Sequence, residues 1–263
     1  MPKILRTEAL SLHSVFFAES SKVVTFFTRD FGKLNFLAKG ARRPRSKFGG
    51  ALETFTHASL IIYKPDTPKL YILSDAEIIK SFSELHTSTE QYLAGTQIID
   101  FVLKAVDFNE PNARLFNLVL SAFTVLANKT WTKKSGNNLV LAFFLKAASF
   151  IGYRPELENC VGCRVPVAKQ SRFNEKKSLP IKLFFDISNG GILCSHCKTK
   201  NLTAIPILPS QLAYLKALLY FPLKRSQSLP ALNEIKDLVL QYLKYHFDRL
   251  DITIFEATPE KVN

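Results

Sequence analysis

Two groups of residues in this sequence could do chemistry. All four cysteines fall in two pairs, Cys160-Val-Gly-Cys163 and Cys194-Ser-His-Cys197, separated by 30 residues. Each pair puts two thiolates within reach of one ion, and two pairs complete the closed tetrahedral shell of a structural zinc. Two disulfides, or a redox pair, would use the same residues. No export signal is visible, and disulfides rarely persist in a reducing compartment. A redox Cys-x-x-Cys usually comes singly on a thioredoxin-like βαβ pattern, which is missing here. The expectation is therefore one structural Zn2+ held by Cys160, Cys163, Cys194 and Cys197, with His196 a bystander. A closed shell leaves no open position for water or substrate, so such an ion would fold its segment and catalyse nothing.

The second group is the run Lys39-Gly-Ala-Arg42-Arg43-Pro-Arg45-Ser-Lys47, five positive charges in nine residues with no acid among them. Like charges at that density repel one another and call for a polyanion or a solvent shell. A solvated loop with spare charges is the common reading of such a run. Here the run follows a predicted strand and reads as a mobile loop between strands, with Pro44 limiting its freedom. Phe26, Phe27, Phe36, Phe48 and Phe55 lie nearby in sequence, and single-strand binders pair cationic grooves with aromatic platforms. Most of these rings are still expected in a core. The candidate nucleic-acid contacts are Lys39, Arg42, Arg43, Arg45 and Lys47, with Lys33 and Arg29 from the preceding hairpin.

Sites of the common enzymes are missing. The sequence has no phosphate-binding G-x-x-x-x-G-K-[ST], no G-x-G-x-x-G, no H-E-x-x-H and no G-x-S-x-G. The zinc-deaminase pattern fails too, since no His precedes Glu by two and neither cysteine pair follows Pro. The five histidines are scattered, and His246 reads as a core or boundary residue of the last helix. The balance points to binding rather than catalysis.

These residues need elements to hold them. At 263 residues and 47% hydrophobic, the chain can bury a substantial core. The N-terminus has no apolar h-region, and no segment approaches a bilayer-spanning apolar run, so neither a signal peptide nor a membrane span is expected. The net charge of +13 is unevenly spread. Residues 1–80 carry 13 Lys and Arg against 7 Asp and Glu, and residues 157–205 carry 8 against 3, whereas 81–156 and 206–263 are near-neutral. Two regions own the positive field.

Residues 22–28 and 33–38, joined by R-D-F-G, read as a β-hairpin. Residues 52–63 and 69–73, split by the turn-forming K-P-D-T-P, add two strands, and an extended start from Ile4 to Phe17 makes about five, a number that suits a small barrel. After Ser83 the period becomes helical: Tyr92 to Val106, Leu115 to Leu126, residues 139–151, Ser210 to Phe221, and a longer helix after Pro230. The stretch Asn128–Asn138 reads as a polar connection with an ordered Trp131. A short strand pair around Ile181–Asp186 could fill the spacer between the cysteine pairs. In the last helix Lys236, Lys244 and Arg249 balance Asp237, Asp248 and Asp251, which argues against a membrane-surface helix.

The stretch Glu19–Thr56 strongly resembles the N-terminal domain of the bacterial RecO family. So do I-G-Y-R-P-E-L-E-N-C-V-G-C, Ile151 to Cys163, and Y-L-K-Y-H-F, Tyr242 to Phe247, in matching order. The resemblance covers almost the whole chain. It implies an α+β multidomain fold: an N-terminal OB-fold β-barrel (1–80), a helical domain (81–155 and 206–263), and a four-cysteine zinc-binding segment (156–205) inserted between helices. It also implies a non-enzymatic, cytoplasmic, nucleoid-associated DNA repair and recombination protein. Such a protein would bind single- and double-stranded DNA, anneal complementary strands, and with RecR help load RecA on DNA coated by single-strand-binding protein. The basic run falls on DNA-binding surface and the four cysteines on the metal ligands. One departure stands out: many members follow a Cys-x-x-Cys pair with Gly, where this chain has Arg164 and Lys198. The alternative function is an adaptor whose basic surface docks acidic partners, such as the acidic tail of single-strand-binding protein.

Overall fold

Strands β1 (Lys3–Phe17), β2 (Ser21–Thr28), β3 (Gly32–Ala38), β4 (Thr56–Lys64) and β5 (Tyr71–Ser81) close into a barrel in the order β1-β2-β3-β5-β4. This is the first part of a computed structural model that describes residues 3–64, 70–128, 131–170, 182–199, 203–230, 233–247 and 250. The long β1 serves two neighbours: its first half pairs with β4, its second half with β2, and a register break between Ser11 and His13 bends it from one to the other. All pairings are antiparallel except the seam, where Phe36 and Leu37 of β3 lie beside Tyr71 and Ile72 of β5 in parallel. The order and closure are those of an OB-fold.

Alternation in the strands sends Val24, Phe26, Leu34, Phe36, Leu60, Ile62 and Leu73 into the barrel. The Phe26 and Phe36 rings meet edge to face at 5.6 Å, a favoured aromatic geometry. Phe27, Phe55 and Phe82 point away from that interior and are buried with helices α1 (Thr89–Ala105) and α2 (Ala113–Ala127), where Phe116 and Phe123 meet them. Gly95 of α1 is required there, because a Cβ would come within 2.8 Å of the Phe55 ring. Ser88 and Asn112 cap the two helices by accepting from Gln91 N and Leu115 N.

The compact units are Met1–Thr132 and Lys133–Asn263, so α1 and α2 belong with the barrel rather than with the later helices. In the second unit, α3 (Lys133–Phe150) becomes apolar nearly all round after its polar first six residues, with Leu139 to Leu145 continuously buried. Around it lie α6 (Pro209–Tyr220), the 3₁₀ turn Leu223–Ser228 and α7 (Asn233–His246). Between α3 and α6 the chain forms the short turns α4 (Val167–Gln170) and α5 (Ser195–Lys198). It also forms a three-stranded sheet of β6 (Leu183–Asp186), β7 (Gly191–Cys194) and β8 (Ile205–Ile207), in the order β7-β6-β8.

Several expectations shift. β5 runs on to Ser81, eight residues past the expected end at Leu73, because cross-strand pairing with β4 holds a segment too charged to read as a strand. Leu52–Phe55 leaves the expected fourth strand: Gly49–Leu52 is 3₁₀, and Phe55 adopts φ +64 to turn its ring towards the helices. α3 starts at Lys133, so the polar residues Lys133–Asn138 are helical rather than connecting. Asn138 shows why, since it is buried, donates to the Leu229 carbonyl and accepts from the Tyr214 hydroxyl. The turn at Pro65–Pro68, Ile181, and the balancing charges Asp248, Arg249 and Asp251 lie outside the described residues.

The β2–β3 turn is gripped by the α1–α2 connection. Gly32 has φ +73, and a Cβ there would sit 2.2 Å from the Glu110 carbonyl oxygen. Gly32→Ala combines left-handed strain with overlap against backbone and should destabilise the first unit by about 2–3 kcal/mol. Thermal unfolding followed by circular dichroism checks this; an unchanged midpoint would contradict it.

Candidate metal centre and nucleic-acid interface

The four cysteine sulfurs come together. Their ligand atoms all lie within 4.8 Å of one another, and Cys163 Sγ and Cys194 Sγ are 3.9 Å apart. Sulfurs around one tetrahedral ion at a Zn–S length of about 2.3 Å would be spaced about 3.8 Å apart. All four are free thiols, and the spacing leaves no disulfide. Backbone donors aim at the sulfurs: Cys194 N at Cys160 Sγ and Cys197 N at Cys194 Sγ, each 3.4 Å. Such donors partly neutralise thiolate charge. Burial pushes the Cys160 thiol up, but backbone N–H groups of Cys163, Cys194 and Gly162 outweigh it and bring the group to about 7. Cys197 is pushed up to about 12 by burial and by sharing its proton with Cys194, Cys163 and Cys160. Burial also raises Cys194. Four sulfurs this close could shed their protons together only around a cation, and the donor set fits a thiophilic divalent ion. His196 is exposed on α5 and does not join the cluster.

Local backbone bonds assemble the cluster. The first cysteine loop is sewn to β7 through Val161 N to Ile192 O (2.8 Å) and Ile192 N to Glu156 O (2.9 Å). The buried Asp186 carboxylate shapes the β6–β7 turn, accepting from Ser188 N, Ser188 Oγ, Asn189 N and Asn189 Nδ2. Gly162 permits the approach of the two pairs, since a Cβ there would meet the Cys197 Cβ and Sγ at 2.9 Å. Arg164 adopts φ +63 while its N–H donates to the Cys160 carbonyl at 2.8 Å. The loop thus keeps the left-handed geometry and carries a residue that strains it.

The basic run forms a chain of turns at one end of the barrel. Backbone hydrogen bonds shape it: Arg42 N donates to Ser20 O (3.0 Å), Arg43 N to Gly40 O (3.1 Å) and Ser46 N to Arg43 O (3.0 Å). Lys39, Arg42, Arg43, Arg45 and Lys47 are all exposed. None of them forms an ion pair with a described residue. Arg42 is the anchored member. Its guanidinium donates to the Glu19 carbonyl at 3.1 Å and lies 4.4 Å from the Phe16 ring centroid, a cation–π distance. Phe16, at the end of β1, is 71% exposed, with Phe17 exposed beside it. Sequence reasoning missed Phe16. Its only signal was an apolar pair, Phe16-Phe17, ending a strand next to a turn.

The five phenylalanines near the run in sequence are all buried, at 2% exposure or less, and offer no stacking surface. Lys33 is corrected as well. It is 3% exposed, its ammonium donates to the Leu103 carbonyl at the end of α1, and it lies 4.6 Å from the Phe108 ring centroid. A buried, committed ammonium cannot meet phosphate. Arg29 is half exposed and pairs with Glu8 at 3.5 Å. The β2–β3 register, from Lys22↔Ala38 to Thr28↔Gly32, sets Arg29 roughly 20 Å along the barrel from the basic run. The structure therefore gathers Lys39–Lys47 with Phe16 and leaves Arg29 and Lys33 apart.

The chain has relatives among known proteins. Residues 1–82 match the family described as Recombination protein O N terminal, and residues 86–252 match Recombination protein O C terminal. The DNA repair protein RecO of Syntrophus aciditrophicus is 31% identical over 214 residues, covering 81% of this chain and 77% of that protein. The DNA repair protein RecO of Pelotomaculum thermopropionicum is 29% identical over 251 residues, covering 94% and 91%. That of a Thermoanaerobacter species is 27% identical over 252 residues, covering 94% of each chain.

Two glycine exchanges at the cysteine cluster should act in opposite directions. Gly162→Ala forces the pairs apart and should leave the protein with less bound metal after dialysis against a weak chelator. Arg164→Gly relieves the left-handed strain and should raise stability by about 1 kcal/mol. Elemental analysis and thermal melts check the pair; full metal retention by Gly162→Ala would contradict the crowding argument.

Proposed function

This chain belongs to the RecO family of DNA repair proteins, and on that premise we propose that it is a strand-annealing recombination mediator whose barrel-end cations hold single-stranded DNA. The observation that carries the reading is the set of exposed cations Lys39, Arg43, Arg45 and Lys47, without ion-pair partners among the described residues, on the loop whose Arg42 lies against the exposed Phe16 ring. Complementary strands repel through their phosphates. A protein that neutralises phosphates, while leaving base edges free to pair, lowers that barrier without consuming a nucleotide.

Within this reading Arg43, Arg45, Lys39 and Lys47 contact phosphate. Arg42 has a second duty, fixing the loop to the β1–β2 turn and holding the Phe16 ring from one side, so that a base can stack on the exposed remainder. Arg29 contributes at most a separate contact. The ion at Cys160, Cys163, Cys194 and Cys197 is a single structural Zn2+, which the four-thiolate donor set favours. It ties the first cysteine loop to β7 and takes no part in any reaction. The partners in this scheme are single- and double-stranded DNA, RecR, and the acidic tail of single-strand-binding protein, and the outcome is RecA loading on coated DNA. The protein would act in the cytoplasm, at the nucleoid. Among the described residues no helix is long and apolar enough to cross a membrane.

Salt titration of oligothymidylate binding tests the site. Log affinity should fall steeply with log salt, and Arg43→Ala/Arg45→Ala should flatten the slope by about 1.4, two phosphates at about 0.7 each. Phe16→Ala should weaken binding by about 1–3 kcal/mol with the slope unchanged, since stacking releases no counterions. An unaltered slope in the arginine variant would move the DNA site elsewhere and favour the acidic-partner adaptor. Removal of the metal with a strong chelator should unfold the 156–205 segment while the barrel keeps its DNA affinity; simultaneous loss of both would contradict a purely local structural ion.

A further inference from the structure

The second unit carries exposed aromatic rings of its own. At the end of α6 the sequence L-L-Y-F-P-L splits sharply: Leu218, Leu219 and Leu223 are buried, while Tyr220 and Phe221 are 42% and 45% exposed. The backbone enforces the split. Phe221 leaves the helix in an extended conformation, and Pro222 blocks a further turn. The Lys146 ammonium donates to the Leu219 carbonyl, which fixes the helix end on α3. Burial lowers the Lys146 pKa, in keeping with a structural rather than a solvated role. Tyr214 on the same helix shows the ordinary alternative, a buried ring whose hydroxyl meets Asn138 at 2.6 Å.

Each exposed ring has a guanidinium beside it. Arg154 lies 5.5 Å from the Tyr220 centroid and Arg225 6.0 Å from the Phe221 centroid. Arg225 is held by its N–H to the Pro222 carbonyl at 2.9 Å, and Lys224 stands exposed next to it. Arg154, Lys224 and Arg225 form no ion pair with a described residue. Two consecutive aromatic residues flanked by three uncompensated cations combine the two elements that sequence-tolerant single-strand binding needs, a π-face for bases and positive charge for the backbone.

We infer that Tyr220 and Phe221, with Arg154, Lys224 and Arg225, form a second single-stranded nucleic-acid surface on this chain, separate in sequence and in compact unit from the basic run of the barrel. The inference rests on the annealing reading and deepens it: each unit would hold a strand, and the pairing step would draw on both. Charge complementarity points to a polyanion, and the two exposed rings favour bases, which can stack on them, over acidic side chains.

Ultraviolet cross-linking of full-length protein to bromouracil-substituted oligonucleotide, with peptide mapping, should give adducts at the Tyr220–Phe221 segment as well as on the barrel. Tyr220→Ala/Phe221→Ala should lose the former, keep the latter, and slow annealing of complementary strands by about five- to tenfold. Tyr220→Trp/Phe221→Trp should retain adducts and rate, which separates stacking from a folding defect. Unchanged annealing and cross-linking in the alanine variant would overturn the inference while leaving the barrel site intact. Suppression of those adducts when an acidic peptide that binds far more tightly than the oligonucleotide is present during irradiation would reassign the surface to a protein partner and overturn it too. Absence of any oligonucleotide binding by the unaltered chain would instead remove the annealing reading on which the inference stands.

Discussion

The barrel closes along a short parallel seam, Phe36 and Leu37 of β3 against Tyr71 and Ile72 of β5, and the layout of the first unit depends on that closure. A closed five-stranded sheet has a small interior that only side chains can fill. The aromatic residues of β2 and β3 are therefore drawn inward or against α1 and α2. The connection from β3 to β4 must then travel around one barrel end, where it carries its cations outside. Sorting rings from charges in this way follows from the geometry of a small barrel, and it leaves the exposed Phe16 as the ring that accompanies the basic run.

Closure also explains how the basic run keeps its turns. Turn hydrogen bonds and the tie from Arg42 to the β1–β2 turn hold a segment that charge repulsion would otherwise spread. Arg42 thus differs in kind from Arg43 and Arg45, although all three are exposed arginines on one loop. A guanidinium bound to carbonyls and an aromatic face organises the surface, whereas its neighbours keep their charge available.

In the second unit the organising feature is the four-sulfur cluster. It joins two loops far apart in sequence and requires close approach at Gly162 and a left-handed residue at Arg164. α7 reaches the same region, through His246 Nε2 at 3.0 Å from the Ile187 carbonyl and the Tyr242 hydroxyl donating to the Tyr153 carbonyl at 3.0 Å. The turn that follows β6 is therefore held by a helix from the far end of the chain as well as by the cysteine loops. That arrangement fits an ion that stabilises its surroundings.

Sequence alone determined much of this protein. Cysteine spacing picked out the four sulfurs that cluster, because two thiols at i and i+3 can share an ion wherever the loop sits, and the order of β-branched and helical periods determined an α+β chain with a barrel first. The uncompensated run Lys39–Lys47 was legible for the same reason: charge without counter-charge must be solvated or bound. Tertiary structure decided what period and composition cannot encode. Lys33 looked like its exposed neighbours until the helix end at Leu103 gave its ammonium a buried acceptor. Phe16 and Phe26 are the same residue type on adjacent strands, and only the barrel's closure made one a surface and the other core. Those assignments depend on contacts between residues distant in the chain, and local sequence carries no record of them.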